Sequence, residues 1–213
     1  MTNMANKMKA SQEIRDVTGV LLAGGKSQRM GKDKRTLVLE GKTLVDRSLA
    51  VLLEIFPEVI VVLGQHDFPI HHDHVRIVKD LIPDRAAAGG LYTGLHFSTH
   101  SRVFVVACDM PFLNGEVIRY VTSISAGYDI TLVELGHGLQ TMHAVYSKRC
   151  LAPLEHMVKR EHLRLQDLLL EPTLTIHKIA EGDVLPYDKH LLSFMNLNSP
   201  ADYELARKMC GMS

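Results

Sequence analysis

The sequence has no excess of either charge: Lys and Arg together number 24, and so do Asp and Glu. That balance gives no sign of a surface for nucleic acid or membranes, so any anion site must come from local clustering. Cysteine is scarce. Cys108, Cys150 and Cys210 are far apart, and no C-x-x-C occurs. An odd, sparse set argues against a disulfide framework and a structural zinc site, and it points to a reducing cytosol. No apolar run approaches the ~20 residues that a bilayer span needs. The longest, 51–63, is interrupted by Glu54, Pro57 and Glu58. Residues 1–16 lack an apolar stretch and carry both charge signs, which fits a disordered tail rather than a signal or transit peptide. Tryptophan is absent and aromatic content is only 6%, yet 46% hydrophobic residues suffice for a sizeable core. With 213 residues and no repeat or linker, the expectation is one domain over 17–213.

What is present concentrates at residues 17–37, VTGVLLAGGKSQRMGKDKRTL. The apolar run Val17 to Ala23 reads as a buried strand that breaks at Gly24-Gly25. The following loop carries Lys26, Arg29, Lys32 and Lys34. Paired glycines let a backbone turn tightly and bring N–H groups close to a ligand. Cations beside such groups suit a polyanion, of which a nucleoside triphosphate is the commonest small example. The Walker pattern is excluded by counting, since five residues separate Gly25 from Gly31 and Asp33 stands where a hydroxyl should be. The adjacent glycines also exclude G-x-G-x-x-G.

Further strand-like runs occur at 59–63, 75–79 and 102–108, rich in Val, Ile or Leu and without clean alternation, the look of strands buried on both faces. Helical patterns fall at 44–55, 90–98 and 114–124. This alternation implies an α/β three-layer sandwich with a mostly parallel central sheet. In the second half, 129–135 and 139–146 flank Gly136-His137-Gly138 as a hairpin. Residues 149–159 and 163–170 read as helices, 173–179 as a strand suited to an edge, and 200–209 as a helix entered through Ser199 and Pro200.

The strand 102–108 delivers Asp109 at its carboxyl end, just before Met110-Pro111. Ligands of open α/β sheets sit beyond such ends. Magnesium favours one or two carboxylates plus substrate phosphates, and Asp109 is placed to serve. A turn-forming Asp beside proline is the plain alternative. Beside the cationic loop, the metal reading is preferred. Cys108 reads as a small buried hydrophobe rather than a nucleophile. The cluster His66, His71, His72 and His74 with Asp67 and Asp73 could hold zinc or nickel, but its loop setting favours solvated side chains.

The string L-A-G-G-x-S-x-R-M-G-x-D-K resembles the signature of nucleotidyltransferases, most closely the molybdenum cofactor guanylyltransferases. The C-D-M-P-F segment at 108–112 is similar to the family's metal-binding C-D-x-P-[FY], and weaker collinear likeness extends over 80–95, 140–150 and 194–204. The resemblance implies a nucleotide-diphospho-sugar-transferase-like, Rossmann-like fold. It implies GTP and molybdenum-molybdopterin as substrates, with Mg²⁺ on Asp109 bridging the phosphates. Gly24 and Gly25 would offer N–H groups, Arg29 and Lys34 would stabilise the departing phosphates, and Leu22 and Ala23 would lie against base or ribose. Asp80 resembles a nucleotide-contacting acid, with a strand-ending turn as its alternative. Asn196 and Asn198 are either ligands or helix-entry residues. His143 either faces the acceptor or sits beside the core.

Two departures are visible. Ala86-Ala87 stand where the family usually has Gly-Pro, and Val62 replaces a base-contacting Asn, leaving guanine to backbone atoms or Gln65. Cytidylyl transfer to the same cofactor, transfer to a sugar phosphate, and a non-catalytic nucleotide-binding role are the competing functions. The expected partners are the small substrates and transient cofactor-delivering or accepting proteins, with no nucleic acid and no membrane, in the cytoplasm.

Overall fold

The run expected as a buried strand lies at the centre of the molecule. In the computed structural model, residues 14–24, 34–70 and 72–211 are described. Val17–Ala23 forms β1, buried along its whole length. It pairs in parallel with β4 (Glu58–Leu63) on one side and β6 (Arg102–Ala107) on the other. Outside β4 lies β5 (Val75–Lys79), also parallel. The hairpin expected from Gly136-His137 is formed by β7 (Ile130–Leu135) and β8 (Gly138–Ser147). The sheet order β5-β4-β1-β6-β8-β7-β9 puts β8 antiparallel between β6 and β7. The edge strand β9 (Ile176–Ala180) runs parallel to β7.

Side-chain alternation along β1 explains the layers. Leu21 and Ala23 pack with Val45, Leu49 and Leu52 of α1 (Leu44–Leu53) and with Val117, Ile118 and Val121 of α3 (Gly115–Ser123). Val20 and Leu22 face the opposite layer, built by α2 (Ala86–Phe97) and α4 (Leu151–Lys159). A Cβ at Gly94 of α2 would come within 2.7 Å of Val20 Cγ1, so glycine lets that helix rest its backbone on β1. Ile14 is already buried in the α1 layer, and Asp16 accepts a hydrogen bond from Arg102. Residues 1–13 of the expected tail lie outside the described residues.

Several boundaries differ from expectation for physical reasons. β5 is an edge strand, and Ile77 is 43% exposed, so its aliphatic look does not mean burial on both faces. Residues 163–170 form only a tight 3-10 segment over Leu165–Leu170. A small hairpin, β2 (Val38–Leu39) and β3 (Lys42–Thr43), turns on Glu40 and Gly41, both with positive φ. It packs with Leu197 and Ala206 near the C-terminus, against Phe112. The hydroxyl of Tyr203 in α6 (Pro200–Cys210) donates to the Val38 carbonyl at 2.7 Å. The short α5 (Glu181–Val184) follows β9.

α2 begins four residues before the expected start, and its first residue, Ala86, has φ 50°. This is where the sequence departs from the family's Gly-Pro, and the left-handed backbone gives glycine a physical reason to be preferred there. Ala86→Gly is expected to raise stability by up to ~1 kcal/mol, as relief of the left-handed strain outweighs the added freedom of the unfolded chain. Urea unfolding of the two proteins checks this, and a loss of stability would contradict it.

Candidate functional site

Because β1, β4, β5 and β6 are parallel, their carboxyl ends share one edge of the sheet. Gly24 follows β1, and a Cβ there would lie 3.0 Å from the Gly64 nitrogen at the end of β4, so a side chain would crowd the two strand ends. Asp80 follows β5, its N–H donating to the Leu63 carbonyl at 2.8 Å. Cys108 and Asp109 follow β6, with the Cys108 N–H donating to Leu22 at 3.1 Å. Gly25, Arg29 and the rest of 25–33 lie outside the described residues.

Lys34 opens a 3-10 turn over Lys34–Thr36. Its ammonium donates to Asp109 Oδ2 at 2.8 Å and to Asn198 Oδ1 at 3.2 Å. The Lys34 and Asp109 side chains are 17% and 19% exposed, so water screens this pair only partly. The Leu197 N–H donates to the Asp109 carbonyl at 2.9 Å, which docks the C-terminal segment on the same turn. The structure therefore brings Lys34, Asp109 and Asn198 together beside Gly24's end of the sheet.

Both readings of Asn198 have support in its contacts. Its backbone N–H and that of Ser199 donate to the Asp202 carboxylate at 2.9 and 2.8 Å, completing a capping box, while its side chain reaches Lys34. Asn196 differs: its amide donates to the Phe194 carbonyl at 3.2 Å, and no hydrogen bond among the described residues links it to Lys34 or Asp109. Asp80 accepts from Ile82 N–H at 3.0 Å and Thr93 Oγ1 at 2.8 Å through one oxygen, fastening the turn after β5 to α2. Burial raises its carboxyl above the usual range, against the opposing effect of these bonds.

Leu22 and Ala23 are buried with their side chains in opposite core layers, so contact with a nucleotide from them would pass through the backbone. Val62 is 2% exposed inside the sheet and cannot reach a base. Gln65 is exposed beyond β4 and donates to Asp84 at 3.3 Å.

Asp109 Oδ1 accepts no hydrogen bond among the described residues, and no group of three His, Cys, Asp or Glu gathers there to cage a metal. One open carboxylate oxygen suits an ion completed by substrate phosphates. In the histidine-rich loop, His72 lies 3.5 Å from Asp46 and Asp67 pairs with Lys79, while His71 lies outside the described residues. Cys108 is buried in the α1 layer, and burial pushes the Cys150 thiol up to about 12, so Cys150 offers no ready thiolate.

His143 is a core residue. It is fully buried between Phe104 and Phe194, at 5.0 and 4.7 Å between ring centres, and neither ring nitrogen has a hydrogen-bond partner among the described residues. Burial lowers its pKa to about 4. An unfolded chain takes up this proton near pH 6.5, whereas the folded one resists until about 4. The unfolded state therefore binds more protons across that window, and stability falls by about 3 kcal/mol as pH drops from 6.5 to 4. His143→Leu is expected to remove that acid sensitivity, as urea midpoints at pH 7 and pH 4.5 can show. An unchanged pH dependence would contradict it.

Sequence reasoning missed Arg47, whose Nε donates to the Pro111 carbonyl at 3.2 Å and steadies the turn after Asp109. Nothing local in the α1 sequence marks that contact.

Known proteins resemble the chain along most of its length. A family model described as a MobA-like NTP transferase domain matches residues 19–173. A probable molybdenum cofactor guanylyltransferase of Pelotomaculum thermopropionicum is 34% identical, across 90% of this chain and 92% of that protein. One from Natranaerobius thermophilus is 31% identical, across 92% and 97%. Among solved structures, molybdopterin-guanine dinucleotide biosynthesis protein A of Archaeoglobus fulgidus superposes with a TM-score of 0.80 at 23% identity, covering 92% of this chain and all of that one. The 2-C-methyl-D-erythritol 4-phosphate cytidylyltransferase of Thermus thermophilus reaches 0.68 at 15% identity, covering 93% and 100%. These last two likenesses speak for the fold, and the fold alone does not select the base.

Proposed function

Since the chain belongs to the MobA-like NTP transferase family, we propose that it transfers GMP from GTP to the terminal phosphate of molybdenum-molybdopterin, giving the guanine dinucleotide cofactor and pyrophosphate. The observation that carries this reading is the meeting of Lys34 with Asp109 at the carboxyl edge of the sheet. The cationic loop leads into Lys34 in sequence, so phosphates bound there would lie beside the Asp109 carboxylate.

In this mechanism an acceptor phosphate oxygen attacks the α-phosphorus of GTP. A new P–O bond forms, the bond to the bridging oxygen breaks, and its electrons leave with pyrophosphate. The acceptor phosphate is ionised near neutral pH, so no general base is required. The protein's task is alignment and neutralisation of charge. Gly24 and Gly25 would supply N–H groups to the phosphates, and Lys34 and Arg29 would stabilise the leaving β- and γ-phosphates. Asn198 would hold the Lys34 ammonium in place. Mg²⁺ held by Asp109 would supply further neutralisation of the triphosphate when bound. Among the described residues no helix is long and apolar enough to cross a membrane.

Pyrophosphate release from GTP with Mg²⁺ and a molybdopterin-loaded acceptor tests the proposal, with CTP and ATP in parallel. GTP is expected to support the fastest release. Preference for CTP would replace the assigned base, and no release from any nucleotide would favour a non-catalytic nucleotide-binding role.

A further inference from the structure

A cavity of about 610 Å³ opens between α1 and the segment that follows Asp109. It is within the size range of small-molecule sites. Its wall begins at Pro111, two residues beyond Asp109, and includes Phe112, Val51 and Leu192 as apolar surface. Lys42 and Arg47 line it as cations and Asp188 as a carboxylate.

Asp188 is the informative residue. It is only 9% exposed, and Oδ2 accepts the Ser193 N–H at 2.7 Å. No Lys, Arg or His forms an ion pair with it among the described residues. A nearly buried carboxylate without a cation normally has further donors, because its desolvation is otherwise uncompensated. Its remaining acceptor capacity can take N–H groups from an occupant of the cavity. Lys42 is exposed and makes no ion pair among the described residues. Arg47 donates Nε to Pro111 and Nη1 to Glu40, and among the described residues Nη2 makes no hydrogen bond. The lining thus combines an acceptor for N–H groups, apolar contact and cations for an anion.

We propose that this cavity receives the pterin end of the acceptor, with the 2-amino-4-oxopyrimidine edge donating to Asp188 and an anionic substituent near Lys42 and Arg47. This assignment rests on the guanylyl-transfer reading for its choice of pterin. Guanine presents the same donor edge, so the two sources must be separated by experiment. Placement beside the Asp109 turn would let the acceptor's phosphate extend toward the triphosphate.

Pterin-6-carboxylate, a fluorescent pterin with one anionic group, is titrated into the full chain and its variants. Asp188→Asn is expected to weaken binding about tenfold or more, since one acceptor becomes a donor facing donors. Ala50→Trp, at an exposed position on the cavity wall, should abolish binding by occupying the space. Lys42→Ala should weaken it about threefold and reduce its salt dependence. GTP affinity should stay within about twofold in each variant. Unchanged pterin affinity in Asp188→Asn or Ala50→Trp would overturn the assignment. So would displacement of the pterin by GMP at similar concentration, which would give the cavity to guanine instead. Pterin binding that depends on Asp188, in a protein that releases no pyrophosphate, would retain the cavity and reject the transfer reaction.

Discussion

Replacing Lys34 by alanine is expected to lower turnover of GTP by ~10²–10³-fold while the protein stays folded. In the structure its ammonium is shared between Asp109 and Asn198, neither of which belongs to its own turn. A side chain held by two distant segments is already positioned, so little reorganisation would accompany the growth of charge on the leaving phosphates. The residue lies in a 3-10 turn that contributes no fully buried residue to the core. Its removal should therefore spare the core. Lys34→Arg is expected to recover part of the rate, because charge returns with a different donor geometry. Steady-state pyrophosphate release checks both variants, and a rate within threefold of the parent for Lys34→Ala would contradict the role. Circular dichroism and urea unfolding would confirm that a slow variant is folded.

The Asp109→Ala variant is expected to lose at least ~10³-fold in rate and to lose its response to Mg²⁺ concentration. Asp109 ends the strand whose Cys108 N–H is bonded to Leu22, so its carboxylate is fixed relative to the end of β1. Lys34 donates to Oδ2, and among the described residues Oδ1 accepts no hydrogen bond, so it could meet a cation. Removing the carboxylate takes away the 2.8 Å contact of the ammonium and keeps the one to Asn198. GTP would still meet the loop cations, so nucleotide binding without metal should decline far less than turnover. The measurement is rate against Mg²⁺ concentration, compared with GTP affinity in chelator. A metal response like the parent's would show that another group holds the ion.

Much of this arrangement was legible before any coordinates. The largely apolar β1 and β6 read as buried parallel strands, and parallel strands of one sheet must present their carboxyl ends together. That placed Asp109 on the side of Gly24. Ser199-Pro200 likewise marked the entry to α6. The same burial that identified β1 also commits Leu22 and Ala23 to the core layers, a consequence the motif alone conceals. Other features depend on distant contacts that leave no local pattern. The hairpin residues show that β7 and β8 pair, but not that β8 inserts beside β6. Asn198 reaches Lys34 only because Leu197 docks on the Asp109 carbonyl. Asp188 lies in an irregular stretch, and its place in the cavity wall without an ion pair among the described residues is disclosed only by three-dimensional neighbours. Ala86 reads as an ordinary helix former until its positive φ is seen.

The most direct test is a crystal structure of the protein with GTP and Mg²⁺. The account predicts triphosphate oxygens within hydrogen-bond distance of Lys34 Nζ and the metal on an Asp109 oxygen at ~2.0–2.1 Å. Nucleotide phosphates bound elsewhere, with Lys34 still held by Asp109 and Asn198, would contradict it.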